Sequence, residues 1–159
     1  EPLVAVLRAG QGAPEQEATC MAVAALGILA NSADDGRKVA IVEAGALEPL
    51  VAVLSAGQSQ PEREITANAA GALGDLAFGD EGRKDSIVEA SALEPLVAVL
   101  RAGSCDSEAT AKAAAALASL AVGDGGHMRA AAIVQAGALE PLVALLRAGR
   151  PEQEVTADA

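Results

Sequence analysis

The sequence predicts an all-α protein, a right-handed α–α superhelix in which near-identical helical units stack into a solenoid. Three observations predict it. The heptapeptide EPLVAVL begins at residues 1, 48 and 94 and returns as EPLVALL at residue 140, a period of 46 or 47 residues. Within a period, apolar residues keep helical spacing: Leu93, Leu96, Val97 and Leu100 fall at i, i+3, i+4 and i+7. Strand signals are missing, since PLVAVL sustains no alternation and the chain has one aromatic residue, Phe78, and no Trp or Tyr. The 159 residues read as one solenoid of four units, approximately 1–33, 34–79, 80–124 and 125–159. The first is expected to lack its first helix and the last to have its third helix truncated.

Each full unit holds three helical patterns. The first is short, from about Glu81 to Glu89, with Asp80 as N-cap and Ile87 and Val88 as its apolar contribution. The second runs from about Leu93 to Ala102 and is ended by Gly103, as Gly10, Gly57 and Gly149 end its counterparts. Pro2, Pro49, Pro95 and Pro141 recur in this pattern and are placed in the first turn, where a missing N–H costs nothing. The third pattern is longest, from Pro61 to Phe78, with Pro61 at the first helical position and Glu62 and Glu64 near the positive end of the helix dipole. Pro14 with Glu15 and Glu17, and Pro151 with Glu152 and Glu154, repeat that start. The remaining copy differs, so Ser104, Asp106 or Ser107 must cap it, and its exit loop around Gly123 to Gly126 is longer.

Composition narrows the function. Hydrophobic residues make up 52%, so with one aromatic the core must come from Ala, Leu, Val and Ile, small enough for close helix approach. A net charge of −11 opposes nucleic acid and anionic membrane surfaces, because phosphate contacts need Lys and Arg; a neutral or basic partner suits it better. The longest uncharged run, Ala18 to Ala33, has 16 residues and includes Gly27, Asn31 and Ser32. It falls short of the roughly 20 apolar residues that span a bilayer, so no membrane insertion is expected, and no signal-peptide pattern is present.

Cys20 and Cys105 lie nearly two periods apart, too far for a disulfide between stacked units, and are expected to remain thiols in a reducing compartment, cytoplasmic or nuclear. Two such cysteines and a single His, His127 in a Gly-rich loop, make no tetrahedral metal site. No nucleophile stands beside a base and no phosphate loop is recognisable, so neither catalysis nor a cofactor is expected.

Residues 41 to 51, IVEAGALEPLV, followed by AAGALGDLA at 69 to 77, resemble the armadillo repeat of the importin-alpha and beta-catenin kind. The pattern returns as IVEASALEPLV at 87 to 97 and IVQAGALEPLV at 133 to 143, with AVAALGILA at 22 to 30 and AAAALASLA at 113 to 121. Three helices per unit separate it from the HEAT solenoids. The resemblance implies a concave groove lined by the third helices. In the peptide-binding members each of these presents a Trp and, four residues later, an Asn. Here the Trp position is Ala24, Gly71 and Ala115 and the Asn position is Ile28, Asp75 and Ser119, so that ladder is absent and importin-like recognition of basic signals is put in doubt.

Counting back one and two turns adds Glu17, Cys20 and Met21, then Glu64, Ala67 and Asn68, then Glu108, Ala111 and Lys112 to the candidate groove. Glu17, Glu64, Glu108 and Glu154 are equivalent and form an acidic ladder, to which Asp75 adds. The ladder reads either as a track for a basic or amide-rich segment or, the favoured reading, as a first turn in which Glu complements the dipole. Gly71, Ala24 and Ala115 leave a small, smooth floor that suits a partner helix. Arg37, Arg83 and Arg129 recur in the first helices and are expected to make exposed pairs with a neighbouring unit, worth under about 1 kcal/mol.

The resulting expectation is a non-catalytic protein-interaction scaffold that binds a peptide or helix on its concave face. The alternative is a structural spacer or assembly segment that associates end to end, through apolar faces around Leu3, Val4 and Leu7 and around Leu142, Val143 and Leu146.

Overall fold

The computed structural model describes residues 2–9, 17–57, 64–102 and 107–148. These form helices α1(Pro2–Ala9), α2(Glu17–Ala30), α3(Asp35–Glu43), α4(Leu47–Ala56), α5(Glu64–Ala77), α6(Glu81–Glu89), α7(Leu93–Ala102), α8(Glu108–Ala121), α9(Gly126–Gln135) and α10(Leu139–Ala148), with no strand among the described residues. The long helices α2, α5 and α8 pack side by side in one layer, and α1, α4, α7 and α10 follow one another in a second. Between them α3, α6 and α9 join each unit to the long helix before it.

The two layers close on a purely aliphatic core. Leu50, Leu54, Leu73, Leu76, Leu96 and Leu120 are fully buried, each contributing on the order of 1.5–3 kcal/mol of transfer free energy. The predicted stripe Leu93, Leu96, Val97 and Leu100 faces this core, as does Ile87 of α6. The long helices approach closely because their shared face is small: a Cβ on Gly74 would lie 3.2 Å from Ala116 Cα.

The sharp turn from each short helix into the next is the same motif three times. At Ala44 to Ala46, Gly45 N–H donates to Val42 O at 2.8 Å and Ala46 N–H to Ile41 O at 3.3 Å, the paired bonds of a Schellman cap. Ser91 and Ala92, and Gly137 and Ala138, repeat both bonds. The motif requires a left-handed residue, supplied by Gly45 (φ 76°) and Gly137 (φ 83°), but by Ser91 (φ 62°) in the middle copy. Pro49, Pro95 and Pro141 each occupy the third position of their helices, within the first turn, where the N–H has no intrahelical acceptor.

Asp80 caps α6, its carboxylate accepting from Arg83 N–H, and Asp34 caps α3 in the same way. Gly57 ends α4 as expected, in the right-handed region (φ −80°), and its lack of a side chain serves the approach of Thr66, whose hydroxyl would overlap a Cβ there. Two other termini depart from expectation. Ser107 stands at the N-cap of α8, yet its hydroxyl makes no capping bond and is buried without a partner. His127 is the second residue of α9 and not part of a loop. Gly10, Gly103, Gly149, Pro14, Pro61, Pro151, Ser104, Asp106, Cys105 and Glu154 lie outside the described residues.

The recurrent arginines correct the sequence reading most. Arg83 and Arg129 are not exposed; each is about 5% accessible and sits where three helices meet. Arg83 Nε donates to Leu76 O at 2.9 Å, and its terminal nitrogen donates to Phe78 O at 3.0 Å and to Asp35 at 2.9 Å. Arg129 does the same one unit on, donating to Leu120 O at 2.7 Å, Val122 O at 3.3 Å, Asp85 at 2.8 Å and Glu81. Each arginine thus satisfies orphan carbonyls at the end of a long helix and ties two successive short helices together. Arg37 makes only a 3.9 Å pair with Asp34 and stays half-exposed.

Glu81 is the hub of the second joint. It accepts from Lys84 at 2.6 Å, from Arg129, and from Gly125 N–H at 3.2 Å. Those bonds, from Lys84 first, hold its carboxyl at about 2, well below the usual range. Although burial opposes its charge, Arg129 is held above the ordinary arginine value by Glu81 and Asp85.

Candidate protein-binding groove

Glu17, Glu64 and Glu108 are the first residues of α2, α5 and α8, and all three are exposed. Because these helices share one length, 14 residues, every later position is also in register. The face that starts at the glutamates continues through Met21, Asn68 and Lys112, then Ala24, Gly71 and Ala115, then Ile28, Asp75 and Ser119.

Part of this face is a shallow depression of about 340 Å³. It brings together Ala24 and Ile28 of α2, Glu64, Asn68, Gly71 and Asp75 of α5, and Lys112 of α8. Glu17, Met21, Glu108, Ala111, Ala115 and Ser119 lie along the same helices outside it, and half-buried Cys20 is set beside the core. Ala67 is the one candidate the structure removes, because it is buried between helices where no ligand reaches it.

Two features modify the smooth floor expected from the sequence. A Cβ on Gly71 would lie 3.2 Å from Lys112 Cδ, so the lysine of the following unit lies across the bare glycine. The groove centre therefore carries a cation between Glu64 and Asp75. The second feature is Asn31, just past the end of α2, whose amide donates to Asp75 Oδ2 at 3.2 Å. This bond crosses from one unit to the next and orients the Asp75 carboxylate. Asn31, Gly27 and Ala72 line the depression but were not among the sequence candidates. Asn31 follows Ile28 by three residues, so continuing the register by one turn past the helix end would have found it.

The depression offers two carboxylates, two amides, one ammonium and an exposed Ile28, a mixture that fits side chains and main chain of a bound polypeptide. Among the described residues no cluster of His, Cys, Asp and Glu is arranged to hold a metal ion. No single helix there is long and apolar enough to cross a bilayer.

Residues 34–78 match the model of the Armadillo/beta-catenin-like repeat. Among solved structures, a designed armadillo repeat protein in complex with the peptide (KR)4 is similar, with 29% identity and a TM-score of 0.77 over 94% of this chain and 59% of that one. An engineered protein shares 34% identity with a TM-score of 0.76, over 94% of this chain and 34% of the other. A second engineered protein shares 29% identity with a TM-score of 0.75, over 92% of this chain and 56% of the other. This chain thus spans about three fifths or less of these proteins' lengths. Comparison with curated proteins gave no match.

Proposed function

Since the chain is an armadillo-type α-solenoid, we propose that it is a non-catalytic scaffold whose concave face captures an extended segment of another protein. One observation carries this reading: three successive long helices present the same register on one face, with a depression drawn from all three. The basic or amide-rich character of the segment is supported by the glutamates that open each helix, by Asp75, and by the net charge of −11. The similar designed protein in complex with (KR)4 supports a peptide as the ligand.

Lys112 is the exception within this acidic track and repels a cationic side chain seated over Gly71. The test is the affinity of a labelled octapeptide of alternating Lys and Arg, read by fluorescence anisotropy. The unmodified chain should bind it, the E17K/E64K/E108K variant should lose binding with helix content unchanged, and Lys112→Ala should tighten it. Equal affinity for all three proteins would remove the groove from the account.

A second reading, association of copies through apolar residues of α10, is supported by Leu139, Val143 and Leu146, which are exposed. Leu142 and Val4, assigned to the end faces from the sequence, are half-buried and buried respectively. Sedimentation equilibrium should then show oligomers that Leu146→Lys dissolves; a concentration-independent monomer mass would exclude this mode.

A further inference from the structure

Phe78, the chain's single aromatic residue, is 70% exposed. In a core this poor in large side chains, that placement leaves unused the residue type with most to gain from burial. Its backbone is nevertheless fixed, because Phe78 O accepts from Arg83. Val122, at the matching point after α8, is 66% exposed and its carbonyl accepts from Lys84 at 2.6 Å. Arg83 and Lys84 are neighbours on α6, so they hold Phe78 and Val122 along the same edge. Met128, 70% exposed, precedes Arg129, which also donates to Val122 O. Phe78 and Val122, at the register that Asn31 occupies after α2, therefore follow one another along the edge where the long helices end, and neither lines the depression.

Charge identifies what this edge accepts. Lys38, Arg83, Lys84 and Arg129 are 4–5% exposed, while their acidic neighbours Asp35 and Asp85 remain 70% and 61% exposed. Asp80 and Asp124 beside them are exposed as well. Among the short-helix cations only Arg37 reaches solvent, and Asp34 is paired with it. An approaching partner meets an apolar row inside an acidic rim. One face of the Phe78 ring is already occupied by Lys38 Nζ, 5.4 Å from the centroid. A second cation on the ring would be repelled by the first, so the outer face favours an apolar side chain.

We propose that this edge is a second docking surface, adjoining the groove at the ends of the long helices, and that its occupant is a cationic amphipathic segment. The segment's apolar stripe covers Phe78 and Val122, and its flanking Lys or Arg residues face Asp80 and Asp124. The test uses three labelled peptides of one length: Leu and Lys with Leu at i, i+3 and i+4, the same pattern with Glu for Lys, and one with Lys but no Leu. Binding is read by anisotropy in about 0.15 M salt.

The Leu/Lys peptide should bind. Phe78→Ser should weaken it at least about tenfold, whereas Phe78→Leu should retain most of the affinity. The E17K/E64K/E108K variant should keep this dependence on Phe78, which separates the edge from the groove. Phe78 is exposed, so circular dichroism of the serine variant should be unchanged. Three outcomes would each overturn the proposal: no effect of Phe78→Ser in the E17K/E64K/E108K background, binding of the Leu/Glu or Lys-only peptide to that variant as tight as that of the Leu/Lys peptide, or Phe78-dependent dimerisation that makes a second copy the occupant.

Discussion

Replacing Arg83 by Met tests the assignment of the recurrent arginine as the joint between units. Methionine keeps an unbranched apolar stem and deletes only the guanidinium, so packing changes little and hydrogen bonding changes completely. Three bonds are lost, to Leu76 O (2.9 Å), Phe78 O (3.0 Å) and Asp35 (2.9 Å). Asp35 is exposed and rehydrates at little cost. Leu76 O at the end of α5 stays behind as a buried acceptor left unpaired, at about 1–3 kcal/mol, while Phe78 O is partly exposed and recovers part of its bond from water. Relief of burying a guanidinium offsets part of this. The net destabilisation is therefore about 1–2 kcal/mol.

Urea unfolding followed by circular dichroism reads it, with Arg37→Met as control. Arg37 is half-exposed and makes only one 3.9 Å pair, so its loss should cost under about 0.5 kcal/mol. Because units in a solenoid are coupled through their interfaces, Arg83→Met should also broaden the transition and lower its m-value. Equal midpoints and slopes for the two variants would refute the joint.

Other changes have defined signs. Ser91 pays a left-handed penalty that Gly45 and Gly137 avoid, so Ser91→Gly should stabilise by about 1 kcal/mol and raise Tm by roughly 2–4 °C in a thermal scan. Glu81 titrates near 2 in the folded chain against 4.5 in its ordinary state, so its stabilising contribution is complete above about pH 4.5 and is lost as pH falls towards 2. Glu81→Gln should accordingly be less stable at neutral pH and show a flatter decline in that acid window. Thr19, Thr66 and Thr110 occupy one register and bury hydroxyls that have no partner. Thr66→Val, which keeps the shape and removes that cost, should stabilise by about 1 kcal/mol in urea unfolding.

The helices were legible because they are local and repeated. Glu81–Glu89 and Leu93–Ala102 agree with their expected bounds, since caps, first-turn prolines and apolar spacing all act within a few residues. What escaped depends on the stack. Arginine at a recurrent position reads as a solvated charge until Leu76 O and Phe78 O are seen to converge on it from the preceding unit. Ala67 carries no mark of which way it faces, because a small residue suits a groove and a helix contact equally. Lys112 covers Gly71, and Asn31 reaches Asp75, only after neighbouring units are set side by side. The acidic ladder was visible as a pattern, yet dipole stabilisation and ligand attraction predict the same residue at the same place.

Amide chemical-shift mapping of the isotope-labelled chain tests most directly whether the face formed by α2, α5 and α8 is the contact surface. On titration with the alternating Lys/Arg octapeptide, the account predicts perturbations concentrated at Asn31, Asn68, Gly71, Asp75 and Lys112, with little change along α3, α6 and α9. Perturbations confined to the short helices, or none at peptide concentrations that saturate binding, would contradict it.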